Sequence, residues 1–388
     1  MLQSCRIISR MSLSAYVHLP FCTHKCEFCD FAAFAGLGHL ETDYCQIVCE
    51  EICQRLGAKP PSDKLSSIFY GGGTPGLIAL PNLAKIQSCL ENQVGIAPLC
   101  EISLETTPHA ISPEKAQGWL NLGVNRLSIG VESFQDAELS AIGRDHNRSQ
   151  ALLGLNQALA AGFANISLDL MYGLPTQTLS SWNDSLEQLF TLTDEHRQIK
   201  HFSAYGLHLA TQSPLYSRFP KDSPEYPQED DFQDFFHSLV EKAAAAGFEH
   251  YEVSNFARPG YQSRHNLSYW NNSQYLAFGV SAHRYVDGVR SSNWRSLAAY
   301  MKDCLGDETW EEITPPMRMK ESIMLGLRLR SGIDLPAFEA EFGVNLCKKY
   351  SREVDKLVEA GYLECSDEHL RISQRGVMVS NSIISEFF

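Results

Sequence analysis

Short apolar runs alternate with longer amphipathic stretches up to about residue 250. The apolar runs predict six strands, at Ala15–Leu19, Ser67–Tyr70, Glu101–Glu105, Arg126–Val131, Asn165–Met171 and His201–Gly206. The amphipathic stretches predict six helices, at Asp43–Leu56, Leu80–Glu91, Ser112–Leu122, Gln150–Ala160, Leu179–Leu192 and Asp231–Ala245. Strands that alternate with helices indicate βαβ units around a parallel sheet. We therefore expect an α/β fold, an incomplete (β/α) barrel rather than a closed eightfold one, with its chemistry on the rim that follows the strands.

The pattern changes near Thr314–Pro316, and a second, smaller unit is expected beyond that point. Its predicted elements are helices at Met317–Leu329, Leu335–Phe342 and Ser351–Ala360 and strands at Tyr362–Cys365 and His369–Ile372. A helix followed by a two-strand hairpin predicts a winged-helix-like α+β domain, for which thin basic clustering favours packing or a lid role over DNA binding. The expected organisation is a tail at 1–14, a partial barrel at 15–250, a connecting region at 251–313 and the C-terminal domain at 314–388.

Composition and charge narrow the possible functions. The chain has 388 residues, 44% of them hydrophobic, and a formal net charge of −14. The many aromatic residues exclude disorder as the main state, and no apolar run reaches the roughly 20 residues of a membrane span. An acidic protein is a poor general partner for nucleic acid, although a local basic patch stays possible.

The chain contains 12 cysteines, and their reduced form is expected because no secretory signal precedes the first strand. The segment Met1–Ser14 carries Arg6 and Arg10 without an acidic residue, which is faintly similar to an organelle transit peptide. It is short for that role, and we expect a cytoplasmic protein.

Three of the cysteines, Cys22, Cys26 and Cys29, are spaced C-x3-C-x2-C directly after the first predicted strand. Three neighbouring thiolates suit three corners of an iron–sulfur cubane and leave the fourth iron open for a substrate. The alternative is a zinc site or incidental thiols, but zinc sites prefer four ligands in separated pairs, and His24 is poorly placed as a fourth. The spacing therefore favours a 4Fe–4S cluster.

This spacing and its context resemble the radical S-adenosylmethionine (SAM) superfamily. The segments Tyr16–Cys22 and Cys29–Phe31 are similar to one branch of it, the oxygen-independent coproporphyrinogen III oxidases and the HemW-type haem chaperones. The resemblance runs from Tyr16 to Phe388. It implies that SAM chelates the open iron, and that an electron delivered by the cluster can cleave the sulfonium to a 5′-deoxyadenosyl radical. It also implies a donor protein that supplies the electron to the cluster.

The resemblance also implies a SAM site on the rim. It assigns to that site Tyr16, Phe28, Gly72, Gly73, Thr74 and Glu105. Glycines let backbone groups approach a ligand closely, although three glycines alone more often make a plain turn. A carboxylate at Glu105 suits a cationic ligand, and the family segment Glu-x-Asn-Pro reads Glu-Thr-Thr-Pro here.

Three further rim residues match family motifs that border SAM: Glu132, Arg144 and Asp169. Glu132 occupies a position that the family usually gives to Gln, which leaves its contact open. Each of the three could singly be a structural salt bridge or cap, but their common position on one rim favours ligand binding.

Two features separate the branches. The oxidases resemble C-x3-C-x2-C-x-C, and Phe31 stands here where they have the further cysteine. They also carry a long N-terminal arm, for which this sequence offers about fifteen residues before the first strand. Both differences favour the chaperone type.

The segment His265–Trp270 matches H-N-x-x-Y-W, a motif associated with haem binding in HemW-type proteins. Imidazole is a good axial ligand for haem iron, so the resemblance assigns that role to His265, with Tyr269 and Trp270 as flat faces for the porphyrin. The alternative is an aromatic loop packed under the barrel. His283 is a second histidine in a family-like stretch, and the sequence does not favour it as a ligand.

The resemblance thus implies a haem chaperone that binds a 4Fe–4S cluster, SAM and haem and passes haem to an acceptor protein. Two alternatives are a coproporphyrinogen III oxidase and a radical SAM enzyme that modifies RNA. The acidic balance and the lack of an evident RNA-binding module disfavour the RNA-modifying enzyme.

Overall fold

The computed structural model describes residues 13–57, 61–211, 213–220 and 222–388. Residues 1–12 of the transit-like segment, including Arg6 and Arg10, lie outside them. Of the predicted tail, Leu13 and Ser14 are described, and they belong to the first strand. No helix in the described part of the chain combines the length and apolar character that a membrane crossing needs.

The strands in chain order are β1 Leu13–Leu19, β2 Phe21–Cys22, β3 Phe34–Ala35, β4 Leu65–Gly72, β5 Ile96–Thr106, β6 Arg126–Glu132, β7 Ile166–Tyr172, β8 Ile199–Gly206, β9 Glu249–His250, β10 Asn255–Ala257, β11 Tyr275–Phe278, β12 His283–Val286, β13 Val289–Asn293, β14 Asp307–Glu312, β15 Ile333–Asp334, β16 Leu363–Cys365 and β17 His369–Ile372. The helices are α1 Glu41–Gly57, α2 Leu80–Gln93, α3 Pro113–Asn121, α4 Asp136–Ala141, α5 Arg148–Ala161, α6 Leu179–Glu195, α7 Pro214–Arg218, α8 Glu229–Ala245, α9 Arg264–Trp270, α10 Leu297–Lys302, α11 Pro315–Gly326, α12 Leu335–Phe342, α13 Leu346–Lys349, α14 Ser351–Glu359 and α15 Ser380–Ser385.

Twelve strands form one open sheet in the order β14-β13-β12-β11-β1-β4-β5-β6-β7-β8-β10-β9. The seven strands from β11 to β8 are parallel, and the outer strands on both sides pair antiparallel. Among the described residues, β14 and β9 are unpaired edges, so the incomplete α/β barrel is confirmed. The sheet continues through residues 251–313, so the boundary expected at residue 250 lies within it.

The two faces of the parallel strands differ in polarity. On the face packed beneath the helices, residues such as Val17, Ile68 and Leu104 are fully buried in the main core. The opposite face carries a polar residue on neighbouring strands, including the buried Ser67, Ser103, Ser128, Ser167 and Ser203. Because strand side chains alternate between faces, the apolar runs that build the core also line the barrel interior with hydroxyl groups.

The C-terminal region is a separate α+β unit with its own core. Strands β15, β17 and β16 form a small antiparallel sheet, against which residues such as Ile323, Phe338 and Leu357 are buried. It is anchored to the barrel by hydrogen bonds from the Arg330 backbone N–H to the Tyr251 carbonyl at 3.0 Å and from the Asn272 amide to Ser322 Oγ at 3.0 Å.

A buried carboxylate on α1 bonds to the segment that follows β11, to β13 and to α10. Glu51 is 0% exposed and accepts hydrogen bonds from the Gly279 N–H at 2.9 Å, the Asn293 amide at 2.7 Å and the Tyr300 hydroxyl at 2.7 Å. The Arg55 guanidinium, one turn along the helix, lies 2.9 Å away and neutralises the charge. A buried charge is tolerated only when it is paired and fully hydrogen-bonded, and these four partners meet that condition.

Candidate iron–sulfur and SAM site

The three motif cysteines lie in a loop at the carboxyl end of β1. Cys22 is in the short strand β2, which pairs with β3, and a turn places the Cys29 N–H 3.1 Å from the Cys26 carbonyl. All three thiols are free and only partly exposed. Burial raises the pKa of each thiol. Hydrogen bonds from Thr74 to Cys22 and from Arg144 to Cys26 partly oppose this rise.

The donor set fits an iron–sulfur cluster better than a single ion. In the described part of the chain, no three His, Cys, Asp or Glu side chains are close enough together to hold one metal ion. A zinc ion would need its ligands within about 2.3 Å of one centre, whereas a cubane offers a separate iron to each thiolate. Arg144 Nη1 lies 3.2 Å from Cys26 Sγ and Thr74 Oγ1 3.6 Å from Cys22 Sγ, and such donors stabilise thiolate sulfur.

The glycine-rich loop after β4 packs directly on the cysteine loop. The Gly73 N–H donates to the Leu19 carbonyl and the Thr74 N–H to the Phe21 carbonyl, both at 2.9 Å. A Cβ at Gly73 would lie 2.7 Å from the Pro20 carbonyl carbon, so the approach requires glycine. The predicted residues Gly72, Gly73 and Thr74 thus lie beside the cysteines.

Glu105, at the end of β5, contacts the glycine-rich loop. Its carboxylate accepts a hydrogen bond from the Gly72 N–H at 3.2 Å. Burial raises the pKa of Glu105 to about 7, with the Asp169 carboxylate as the second cause. Tyr16 borders the same space, with its hydroxyl 3.1 Å from His18 Nδ1. A cationic ligand would relieve the cost of this buried carboxylate.

Replacing Glu105 by Gln should stabilise the SAM-free protein in a pH-dependent way. The folded-state pKa of Glu105 is near 7, above the ordinary value of 4.5. As pH rises from about 4.5 to about 7, Glu105 ionises more readily in the unfolded chain, and the unfolding free energy of the parent protein falls. We expect the gain in unfolding free energy to be about 2 kcal/mol larger at pH 8 than at pH 5.5, measured by urea unfolding under anaerobic conditions. Equal gains at the two pH values would contradict this. The same variant should bind SAM more weakly.

Arg144 connects the cysteine loop to β6. Its guanidinium donates to the Gly130 carbonyl at 2.6 Å and lies 3.4 Å from the Glu132 carboxylate. Glu132 sits at a register shift against β7 and has a φ of 66°, a strained conformation for a residue with a side chain. In this conformation the Glu132 carboxylate faces Arg144, and its role at the SAM site stays a prediction.

Asp169 extends from β7 into the polar barrel interior. It accepts hydrogen bonds from the hydroxyls of Ser203 at 2.8 Å, Ser128 at 2.9 Å and Ser167 at 3.2 Å. Burial raises its pKa, and these hydrogen bonds oppose the rise. The Asp169 carboxylate raises the pKa of both Glu105 and Glu132, so three carboxylates lie close together in the space beside the cysteines, which we call the chamber.

Phe28 lies on the outer side of the cysteine loop. It packs against a small apolar cluster that includes Ile142, Leu174 and Leu215. The Glu27 carbonyl accepts from the Leu215 N–H at 3.1 Å, which fixes the loop to that cluster. Phe28 therefore anchors the loop next to the chamber that the other predicted residues line.

His265 is placed differently from its sequence-based role. The H-N-x-x-Y-W segment forms helix α9, capped by the Ser263 hydroxyl, and carries His265 into the barrel interior. The ring is 1% exposed, and its nitrogens lie 3.0 Å from Ser67 Oγ and 2.8 Å from Tyr269 Oη. Both ring nitrogens of His265 are thus engaged within the packed interior, and its role as the axial haem ligand stays a prediction.

Comparison with known proteins places these features in a family. The Radical SAM superfamily model matches residues 16–189, and the HemN C-terminal domain model matches residues 313–379. The chain is 32% identical to "Heme chaperone HemW" of Bacillus subtilis over 96% of this chain and 98% of that protein. It is 37% identical to the protein of the same name from Synechocystis over 83% and 79%. The chain belongs to the HemW family.

As a HemW-family member, the chain is a radical SAM protein, and a 4Fe–4S cluster and SAM are the cofactors of that superfamily. Solved coproporphyrinogen III oxidase (HemN) from Escherichia coli has the same fold, with a TM-score of 0.84 over 97% of this chain and 90% of that chain at 21% identity. The HemN C-terminal match agrees with the α+β unit that follows the barrel.

Sequence reasoning missed several polar residues that shape the HemW-family barrel. His18 and His201 are buried on the same interior face, and His201 lies 2.8 Å from Ser167 Oγ and 2.9 Å from the Tyr251 hydroxyl. The sequence does show such polar residues, at alternate positions within the apolar runs that predict the strands. Which of them face the chamber beside the cysteines depends on strand register, and the sequence leaves that open.

Proposed function

We propose that this chain is a haem chaperone, a protein that binds haem, a 4Fe–4S cluster and SAM and transfers haem to an acceptor protein. The observation that carries the proposal is the similarity to relatives that are named as haem chaperones, over 98% and 79% of their lengths. In the proposal, Cys22, Cys26 and Cys29 hold the cluster. A protein donor supplies its electron, and the protein works in the cytoplasm.

The rim residues are proposed to hold SAM. Glu105, Glu132 and Asp169 form a carboxylate-lined chamber beside the cysteines, which suits the cationic sulfonium and amino groups of SAM. The backbone of Gly72 and Gly73 and the Thr74 side chain close the chamber, with Tyr16 on its inner wall. SAM, when bound, supplies the radical precursor of the superfamily.

A coproporphyrinogen III oxidase is the second candidate, because the fold matches the solved HemN structure. Phe31 stands where the oxidases have their further cysteine, and it is 64% exposed beside the cysteine loop. After Cys29, the next cysteine is Cys45, buried in α1 at 1% exposure, and it cannot replace that thiol. The local chemistry therefore favours the chaperone.

Anaerobic reconstitution separates the two functions. The cluster-loaded protein should bind haem stoichiometrically and pass it to an apo-haem protein, as followed by the Soret band. Incubated with coproporphyrinogen III, SAM and a reductant, it should form no protoporphyrinogen. Turnover to protoporphyrinogen would favour the oxidase, and a failure to bind haem would refute the chaperone.

A further inference from the structure

A half-open cavity of about 400 Å³ lies between the cysteine loop and the β12–β13 hairpin. Its lining includes Phe31, Tyr269, Tyr275, His283 and Arg295. The volume falls within the range of small-molecule sites, roughly 300–1,000 Å³. Aromatic side chains, imidazole and a guanidinium together suit a planar ligand that carries a metal and acidic groups.

Among the described histidines near this cavity, one has ring nitrogens without a hydrogen-bond partner. His18, which also lines it, has Nδ1 at 3.1 Å from the Tyr16 hydroxyl and Nε2 at 3.0 Å from the Ala32 carbonyl. His265 is similarly engaged on both sides. His283 projects from β12 with an exposed ring, and no described residue hydrogen-bonds to that ring. Burial lowers the pKa of His283, and the positive charge of Arg290 lowers it further. The ring is therefore neutral at pH 7, and neutral imidazole is the form that binds metals.

The cavity also holds a cation for an acidic group. Arg295 Nη2 donates to the Asp30 carbonyl at 2.8 Å, and its remaining N–H groups have no bonded partner among the described side chains. A guanidinium binds carboxylates through paired, charge-assisted hydrogen bonds. Arg295 is the one guanidinium or ammonium group among the described lining residues, so the anionic end of a ligand would lie on its side of the cavity.

The H-N-x-x-Y-W motif contributes a wall to this cavity. Tyr269 lines it, held by the hydrogen bond of its hydroxyl to His265 at 2.8 Å and by an edge-on contact with the Tyr275 ring at 4.6 Å. Trp270 is not among the lining residues. The motif can therefore matter for haem binding through Tyr269, with His265 as a positioning residue in the interior.

We propose that this cavity is the haem site, with His283 as the axial ligand of the iron, Arg295 as the partner of a propionate, and Tyr269 and Tyr275 beside the porphyrin. The proposal rests on the proposed chaperone function. It places the haem next to the cysteine loop, because Asp30 and Phe31 directly follow Cys29 and line the same cavity.

Haemin titration of the cluster-loaded full-length chain under anaerobic conditions tests the site. His283→Ala should raise the Kd for haemin at least tenfold and remove the imidazole signature from the Soret and electron paramagnetic resonance spectra. His283→Met should restore binding with a shifted Soret band, because a thioether replaces the imidazole. Arg295→Gln should raise the Kd roughly tenfold with an unchanged axial signature. His237→Ala, an exposed histidine on α8, is the matched control.

The outcomes separate the alternatives. His265→Ala should keep the axial signature of the parent, even where the affinity falls through Tyr269. Parent-like binding by His283→Ala, or loss of the imidazole signature only in His265→Ala, overturns the assignment while leaving the chaperone function intact. A parent protein that binds no haem refutes the chaperone function itself. Iron and sulfide contents equal to those of the parent show that each variant is folded.

Discussion

Replacing any one of Cys22, Cys26 and Cys29 by serine should abolish the 4Fe–4S cluster. Each thiolate would hold a separate iron, and two thiolates retain a cubane poorly, so we expect iron and sulfide contents near zero and loss of the broad visible absorbance. SAM binding should fall with the cluster, because the iron without a protein ligand is its anchor in this superfamily. The measurement is metal and sulfide analysis after anaerobic reconstitution.

Cys365→Ser is the matched control for these variants. Cys365 is exposed in β16 of the C-terminal unit, far along the chain from the barrel rim, and its sulfur lies 3.4 Å from that of Cys347. The control should load a full cluster. A Cys26→Ser variant that retained parent levels of iron and sulfide would refute the assignment, and zinc in place of iron in the parent would refute the site as a whole.

Replacing Glu51 by Ala should cost about 3–5 kcal/mol of unfolding free energy. The change leaves the Gly279 N–H, the Asn293 amide and the Tyr300 hydroxyl without their acceptor, and it leaves the Arg55 cation without its nearest counter-ion. Each buried donor that loses its partner costs about 1–3 kcal/mol, and partial relaxation reduces the sum. Urea unfolding under anaerobic conditions measures the loss.

Glu50→Ala tests whether this effect belongs to the buried network. Glu50 precedes Glu51 on the same helix but is exposed, and its one hydrogen bond is with Gln46 at 3.3 Å. Its replacement should change stability by less than about 0.5 kcal/mol. Equal losses for the two variants would show that the network contributes little. Glu51→Gln should fall between them, because the amide keeps one acceptor oxygen.

The main fold was predictable because short apolar runs, regularly separated by amphipathic helices, determine the parallel strands. The strands predicted at Ser67–Tyr70 and Arg126–Val131 lie within the observed β4 and β6. Strand β11 was missed because Tyr275–Phe278 is only four residues long, and it is a strand through its pairing with β1. Helix α9 was also missed, although Ser263 before it is a typical N-cap.

The rim residues of the site were predictable from strand ends, whereas contacts between residues distant in the sequence were not. Glu105 and Asp169 were expected on one rim because parallel strands end on the same side of a sheet. The environment of His265 depends on Ser67, which lies about two hundred positions away in the sequence. The cavity beside the cysteine loop joins Asp30, Tyr269 and Arg295, and only the tertiary structure brings them together.

The pairing of β1 has a consequence for how the protein is made. One edge of β1 pairs with β4, which follows soon in the chain, and the other pairs with β11 at residues 275–278. At translation rates of roughly 5–20 residues per second, that second edge stays uncovered for about 13–50 s after β1 leaves the ribosome. An uncovered apolar edge can pair with other chains. The strand that carries the cysteine loop is therefore among the last that a nascent chain protects, and slower synthesis lengthens that interval.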